Sequence, residues 1–154
     1  MLESAAGPEE RMEILIEDRQ GRHKIARKKI KRKAQTILSA LGCPDGELSI
    51  LIVDDSEIAG LNKEYLGRSG PTNVIAFPMQ QGQFGHINPN LLGDVVISLD
   101  TTAREASDAD IAVERRFDQL LIHGILHLLG FDHEASPEQA ETMIRKEEEL
   151  LRLL

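Results

Sequence analysis

Short apolar runs along the chain predict strands, and the segments between these runs have the apolar spacing of helices. Runs of this kind predict four strands, at residues 12–17, Glu47–Val53, 74–77 and 94–98. A stretch at residues 80–90 contains glycine and proline, which predicts a mobile loop between the third and fourth strands. The other connections between strands have the apolar spacing of helices.

Helical spacing is clearest where apolar side chains recur every three or four residues. Such a pattern runs from Ala26 to Leu41, and Gly42, Cys43 and Pro44 then end the predicted helix. Asp54, Asp55 and Ser56 are candidate N-caps for a short second helix, which Gly67 ends. This second helix is predicted at residues 57–66, and the remaining helices are predicted at residues 100–107, 111–129 and from residue 137 to the C-terminus.

The C-terminal helix carries the clearest start signal. Ser136 is followed by Pro137 and then by Gln139, which is a capping-box arrangement. The apolar residues of this helix form a regular stripe that only Glu147 interrupts. Such a stripe predicts a helix that packs against the core.

The order of these elements predicts an α+β fold with one mixed four-stranded sheet covered by helices. A length of 154 residues fits one domain, so we expect a single metal-dependent hydrolase domain over residues 1–154 once the chemistry below is included. Residues 1–10 have the composition of a loose leader.

Composition excludes several classes of protein. A net charge of −8 with 41% hydrophobic and 29% charged residues is ordinary for a globular chain, which argues against wholesale disorder or a fibre. The single cysteine, Cys43, excludes an intramolecular disulfide framework and a cysteine-built zinc finger. No apolar run is long enough to cross a membrane and no signal peptide is recognisable, so we expect a cytoplasmic protein without a membrane partner.

Positive charge is concentrated in residues 22–33, here called the basic segment, which holds eight of the 18 Lys and Arg residues and no acid. A basic stripe on an acidic protein can bind a polyanion, because the local potential acts on the ligand. The alternative is a solvated helix face. Within the segment, Lys28, Lys29 and Arg32 are the candidate RNA-binding residues.

Three of the five histidines lie within eleven residues near the end of a predicted helix. His123 and His127 are four residues apart and therefore share one helix face. Gly130 can adopt the left-handed backbone that reverses the chain, which would return His133 to the same place. Three imidazoles among apolar neighbours favour a metal site, with one zinc per chain and a fourth position open to a zinc-bound water.

The same histidine spacing occurs in a class of zinc peptidases that need a glutamate directly after the first histidine as general base. Here that position is Gly124, which cannot accept a proton. A peptidase is therefore disfavoured relative to phosphodiester cleavage in RNA, where a metal lowers the pKa of its water to about 7. Zinc-bound water and the ribose 2′-hydroxyl both remain candidate nucleophiles.

With these residues in view, the chain resembles the YbeY family of single-strand-specific metallo-endoribonucleases. The histidine stretch matches the family signature, and further matches follow in order: DDS at 54–56, LN at 61–62, Tyr65, PTNV at 71–74, FP at 77–78 and LGD at 92–94. The resemblance implies a zincin-like fold and a zinc held by His123, His127 and His133. It also implies cytoplasmic maturation of small-subunit ribosomal RNA, ribosome quality control, and the ribosome or its assembly factors as partners.

One position departs from the family pattern. An arginine that the family uses in RNA cleavage usually follows the tyrosine, but Leu66 occupies that place here. Arg68 is the candidate to supply the missing cation. The alternative is a ribosome-assembly factor that binds RNA, holds a structural zinc and cleaves weakly or not at all. Few aromatic residues are present, so contacts to the RNA backbone should dominate binding.

Overall fold

Four strands and five helices follow one another over residues 13–79 and 90–154, which are the parts of the chain that this computed structural model describes. The strands are β1 (Ile14–Asp18), β2 (Glu47–Val53), β3 (Val74–Pro78) and β4 (Leu91–Ser98). The helices are α1 (Arg27–Ala40), α2 (Asp55–Leu66), α3 (Leu99–Ala109), α4 (Val113–Leu128) and α5 (Pro137–Leu151). The predicted leader and the predicted loop, except for Asn90, lie outside the described residues.

The strands form one sheet in the order β1-β2-β4-β3. β1, β2 and β4 are parallel, whereas β3 is an edge strand that pairs antiparallel with β4. Parallel neighbours need long crossover connections, and the sequence supplies a helix in each. The predicted α+β class with one mixed four-stranded sheet is therefore confirmed.

β4 begins three residues earlier than its apolar pattern predicts, because Leu91 and Gly93 already pair with β2. Gly93 has a φ of +136°, and a Cβ there would lie 2.1 Å from the carbonyl oxygen of Phe77. Only glycine fits such a close approach between neighbouring backbones. This glycine interrupts the apolar run, which is why the sequence pattern places the start of the strand too late.

Apolar side chains cover both faces of the sheet. On one face, α1, α4 and α5 pack over a core that includes Ile37, Ile50 and Ile125, none of which is exposed. On the other face, α2 contributes Ile58 to a smaller cluster with Val96. Full burial of each such side chain stabilises the fold by about 1.5–3 kcal/mol. Helix α4 is thereby held against β4 and the edge strand β3.

The start of α2 is tied to the end of β4 and to α3. One carboxylate oxygen of Asp55 accepts hydrogen bonds from the hydroxyls of Ser98 and Thr101, each at 2.7 Å, and the other oxygen pairs with Arg104 at 2.8 Å. Burial opposes ionisation of Asp55, but these three partners outweigh it and lower the pKa of the carboxyl. The helix that ends at Leu66 is thus anchored at its opposite end. No helix within the described residues is long and apolar enough to cross a membrane.

Candidate metal centre

Helix α4 presents two histidines from one face near its C-terminal end. His123 and His127 are one turn apart, and their ring centroids are separated by 4.7 Å. The helical period places residues four apart on the same side, as the spacing predicts. Both side chains are partly buried, whereas the leucine and isoleucine residues around them complete the core.

A glycine turn brings the third histidine to the same place. Gly130 has a φ of +95°, which is the left-handed conformation that the sequence predicts. The N–H of Phe131 donates to the carbonyl of Leu126 and the N–H of Gly130 donates to that of His127, a Schellman arrangement at the helix end. The ring of His133 then lies 5.4 Å from that of His123, measured between centroids.

The three imidazoles can hold one metal ion. One ring nitrogen from each of His123, His127 and His133 lies within 4.8 Å of the others. A set of three imidazole nitrogens suits zinc and related transition metals, and it leaves a coordination position open. The predicted ligands therefore converge, and their donor chemistry fits the predicted ion.

A carboxylate orients the first of these histidines. Nδ1 of His123 lies 2.5 Å from Oε2 of Glu147 on α5. Because a carboxylate only accepts hydrogen bonds, Nδ1 carries the proton and Nε2 is left to bind a metal. In the sequence, Glu147 is the one polar residue of an apolar helix stripe, and this pattern alone assigns it no role in the site. The polar interruption of the stripe is the sequence signal that points to this residue.

The surroundings of His127 favour its neutral form. Burial lowers the pKa of His127, and positive charge on His123 and His133 lowers it further. Metal ligation requires the neutral form of histidine, because a protonated ring has no free lone pair. The lowered pKa of His127 therefore favours the form of this side chain that can bind a cation.

Gly124 has a steric role that the sequence does not reveal. A Cβ at this position would lie 2.7 Å from Cγ1 of Val95 and 3.3 Å from Cγ2 of Val74. Helix α4 therefore approaches β3 and β4 so closely that no larger side chain fits without a shift. Because glycine has no side chain, no carboxylate reaches the metal centre from this position, which agrees with the argument against a peptidase.

An open cleft of about 480 Å³, here called the histidine cleft, surrounds the three imidazoles. Its walls come from β3, from the loop after α4 and from the end of α2, which contributes Leu66 and Arg68. Leu66 is 47% exposed, so an apolar side chain occupies the rim where the family arginine is expected. Arg68 is exposed and forms no ion pair with any residue in the described ranges.

The basic segment is partly neutralised by α4. Lys29 lies 2.8 Å from Glu114, and Lys33 pairs with both Glu114 and Asp118. Burial disfavours the charged form of Lys33, but its hydrogen bonds to these acids prevail and raise its pKa. Lys28 and Arg32 are exposed and unpaired within the part of the chain that the structure describes. Of the three candidate RNA-binding residues, Lys29 is therefore the one whose positive charge is least available to an RNA phosphate.

Comparisons with known proteins agree with this arrangement. The family model described as Endoribonuclease YbeY matches residues 15–154. A protein of that name from Geobacter sulfurreducens is 51% identical over 144 residues, which cover 93% of this chain and 96% of the relative. A second from Syntrophotalea carbinolica is 52% identical over 138 residues, covering 89% of this chain and 92% of the relative.

A solved structure shares the fold. The solution structure of a target protein from Thermotoga maritima superposes with a TM-score of 0.64 at 24% identity, covering 90% of this chain and 86% of that one. The resemblance noted in the sequence is thus confirmed, and with it the expectation of a nuclease among the hydrolases. By its sequence over nearly its whole length, the chain belongs to the YbeY family of endoribonucleases.

Proposed function

We propose that this protein is a zinc-dependent, single-strand-specific endoribonuclease that acts in the cytoplasm on small-subunit ribosomal RNA, during ribosome maturation and quality control. The observation that carries the proposal is the convergence of three imidazoles in an open cleft beside Arg68, which has no ion-pair partner among the described residues. The relatives are named as endoribonucleases, which supports RNA cleavage as the reaction. The ribosome or its assembly factors are the partners that this role requires.

Each side chain of the site has a distinct proposed role. His123, His127 and His133 would hold the zinc, which when bound lowers the pKa of water to about 7 and neutralises charge on a phosphoryl oxygen. Glu147 keeps the proton of His123 on Nδ1 and fixes the ring, as a hydrogen-bonded carboxylate does for a histidine ligand. The apolar residues behind the histidines exclude water from that side of the imidazoles, which strengthens the charge interactions there.

Arg68 is proposed to neutralise negative charge that develops on the phosphate. Leu66→Arg adds a second cation to the rim of the cleft, and Arg68→Ala removes the first. We expect the single-turnover rate to rise in Leu66→Arg and to fall about tenfold or more in Arg68→Ala, because a cation aimed at developing charge stabilises the transition state. Zinc content should stay at the parent level in both. Unchanged rates in both variants would exclude these positions as the source of the cation.

The central experiment measures zinc and cleavage on the same preparations. The parent, His127→Ala and His23→Ala are stripped of metal, given one equivalent of zinc, and incubated with labelled single-stranded and double-stranded RNA, with and without chelator. His23 is the matched control, because it pairs with Asp100 outside the histidine cleft. We expect the parent and His23→Ala to cleave single-stranded RNA until chelator is added, and His127→Ala to lose both metal and cleavage.

Two results would overturn the proposal. Cleavage that persists after removal of the metal would exclude a zinc enzyme. RNA binding without cleavage in the zinc-loaded parent would instead support the assembly-factor alternative. The ribosomal role is tested in cells depleted of the protein, which should accumulate small-subunit ribosomal RNA with unprocessed ends.

A further inference from the structure

A second cleft, here called the side cleft, adjoins the metal centre and has a volume of about 370 Å³. It lies between α4, α5 and the start of β3, and it shares His123, Asn73 and Val74 with the histidine cleft. A ligand that lies across the imidazoles can therefore extend into the side cleft without leaving the protein surface. Its volume falls in the range of sites that bind small molecules.

The floor of the side cleft is aliphatic. Val74, Leu120 and Leu151 line it, and Ile144 stands at its wall with 53% of its surface exposed. An isoleucine so exposed within a cleft leaves apolar surface that water solvates poorly. A flat, mostly apolar group would gain by covering it.

The polar edge of the side cleft is set in place by a network. Arg116 donates to Oε1 of Glu105 at 2.9–3.0 Å and to Oε1 of Gln119 at 2.7 Å. Because arginine only donates hydrogen bonds, the amide oxygen of Gln119 must face it, and the amide NH₂ is turned elsewhere. That NH₂ has no partner among the described residues, so Gln119 offers donors to a ligand.

Charge decides which part of a nucleotide fits the side cleft. Glu147 and Glu148 both line it, and Glu105 already neutralises Arg116. Two carboxylates without a free cation repel a phosphate, whereas they tolerate a neutral ring that presents hydrogen-bond groups at its edge. The phosphate is better placed in the histidine cleft, where Arg68 forms no ion pair within residues 13–79 and 90–154.

We propose that the side cleft binds one nucleobase of the RNA, that of a nucleotide next to the phosphate held at the metal centre. The base covers Ile144 and the aliphatic floor, and a carbonyl at its edge accepts from the amide of Gln119. This inference rests on the proposed RNA substrate, and it adds a subsite that holds the strand in register. Bases with an exocyclic carbonyl fit better than adenine, which has none.

The first test compares zinc-loaded variants on a set of single-stranded RNAs. Each RNA carries one abasic ribose, at a different position flanking the cleaved bond. We expect the parent to lose about tenfold in kcat/KM when one flanking base is removed, because burying the apolar face of a base against aliphatic side chains contributes on that order. Ile144→Ala should lower the rate on intact RNA and abolish most of this difference. Leu15→Ala is the matched control, because Leu15 is similarly exposed, at 58%, but lies on β1, at the sheet edge opposite β3 and the side cleft.

The second test does not depend on cleavage. Methyl resonances of the zinc-loaded parent are followed by NMR while uridine monophosphate or ribose 5-phosphate is added. We expect the Ile144 methyl to shift with the nucleotide and not with the sugar phosphate. If no flanking base matters to cleavage and the Ile144 methyl stays in place, the subsite does not exist. If the methyl shifts but no RNA is cleaved, the subsite stands and the proposed function fails.

Discussion

Replacing Glu147 tests how far the metal centre depends on a residue from a different helix. Glu147→Ala removes the acceptor that lies 2.5 Å from Nδ1 of His123. The imidazole then loses the partner that fixes its proton and its orientation. Both side chains are less than one-third exposed, at 28% and 29%, so water replaces the lost partner poorly.

The magnitude follows from the kind of hydrogen bond that is lost. Removing the partner of a histidine ligand usually weakens metal binding about 10- to 100-fold, which is about 1.4–2.7 kcal/mol. Glu147→Gln keeps an acceptor but not the charge. Charge-assisted hydrogen bonds are about twice as strong as neutral ones, so this variant should lose about half of that free energy.

Zinc affinity is measured by competition with a chromophoric chelator at constant pH. Glu141→Ala and Glu141→Gln serve as matched controls, because Glu141 is exposed on the same helix and makes no contact with the histidines. Nitrogen-15 NMR of the imidazoles adds a direct readout, since His123 should lose its preference for the Nδ1-protonated tautomer in Glu147→Ala. The reasoning is refuted if Glu147→Ala binds zinc as tightly as Glu141→Ala.

Three further changes probe the fold and the charged surface. Gly124→Ala should lower the free energy of unfolding by about 1–3 kcal/mol in urea titrations, because its Cβ would overlap the sheet, whereas Gly60→Ala in open space should stabilise the protein; equal effects would contradict the close packing. Hydrogen bonds from Lys29 and a second lysine lower the pKa of Glu114 from 4.5 to about 2. Its contribution to stability is therefore present above pH 4.5 and lost as the pH falls towards 2, so the urea midpoint of Glu114→Gln should fall less between these pH values than that of the parent. Lys28→Gln should weaken RNA binding and flatten its salt dependence more than Lys29→Gln does, because Glu114 already neutralises Lys29; equal effects in a salt titration would remove the distinction.

The features that the sequence predicts well are local in the chain. His123 and His127 are placed by the helical period alone, and Gly130 reverses the backbone whatever lies around it. The strands are found for the same reason, since apolar runs between turn residues need no knowledge of their partners. The predicted start of a strand is wrong where a glycine packs against a residue distant in sequence, as Gly93 does against the backbone of β3.

The features that the sequence does not reveal depend on how helices pack. Glu147 reaches His123 only because α5 lies across α4, and 24 residues separate the two. The pairing of Lys29 and Lys33 with acids of α4 likewise depends on the packing of α1 against that helix. Charge counted along the sequence therefore overstates the positive potential of the basic segment, because its counter-charges come from another element.

All three imidazoles lie within eleven consecutive residues, and this has a consequence for how a metal acts on folding. Closing so short a loop costs little entropy, so an unfolded chain can also chelate the ion. An ion that binds both the native and the unfolded chain stabilises the native state only by the difference between the two affinities. The rise in melting temperature on adding the metal should therefore be smaller than the affinity of the native protein alone implies. Under the proposed metal site, we expect the excess affinity of the native state to come from Glu147, which reaches His123 only after α5 has packed against α4. A nascent chain would then be able to capture the ion early and would hold it firmly only after α5 has packed.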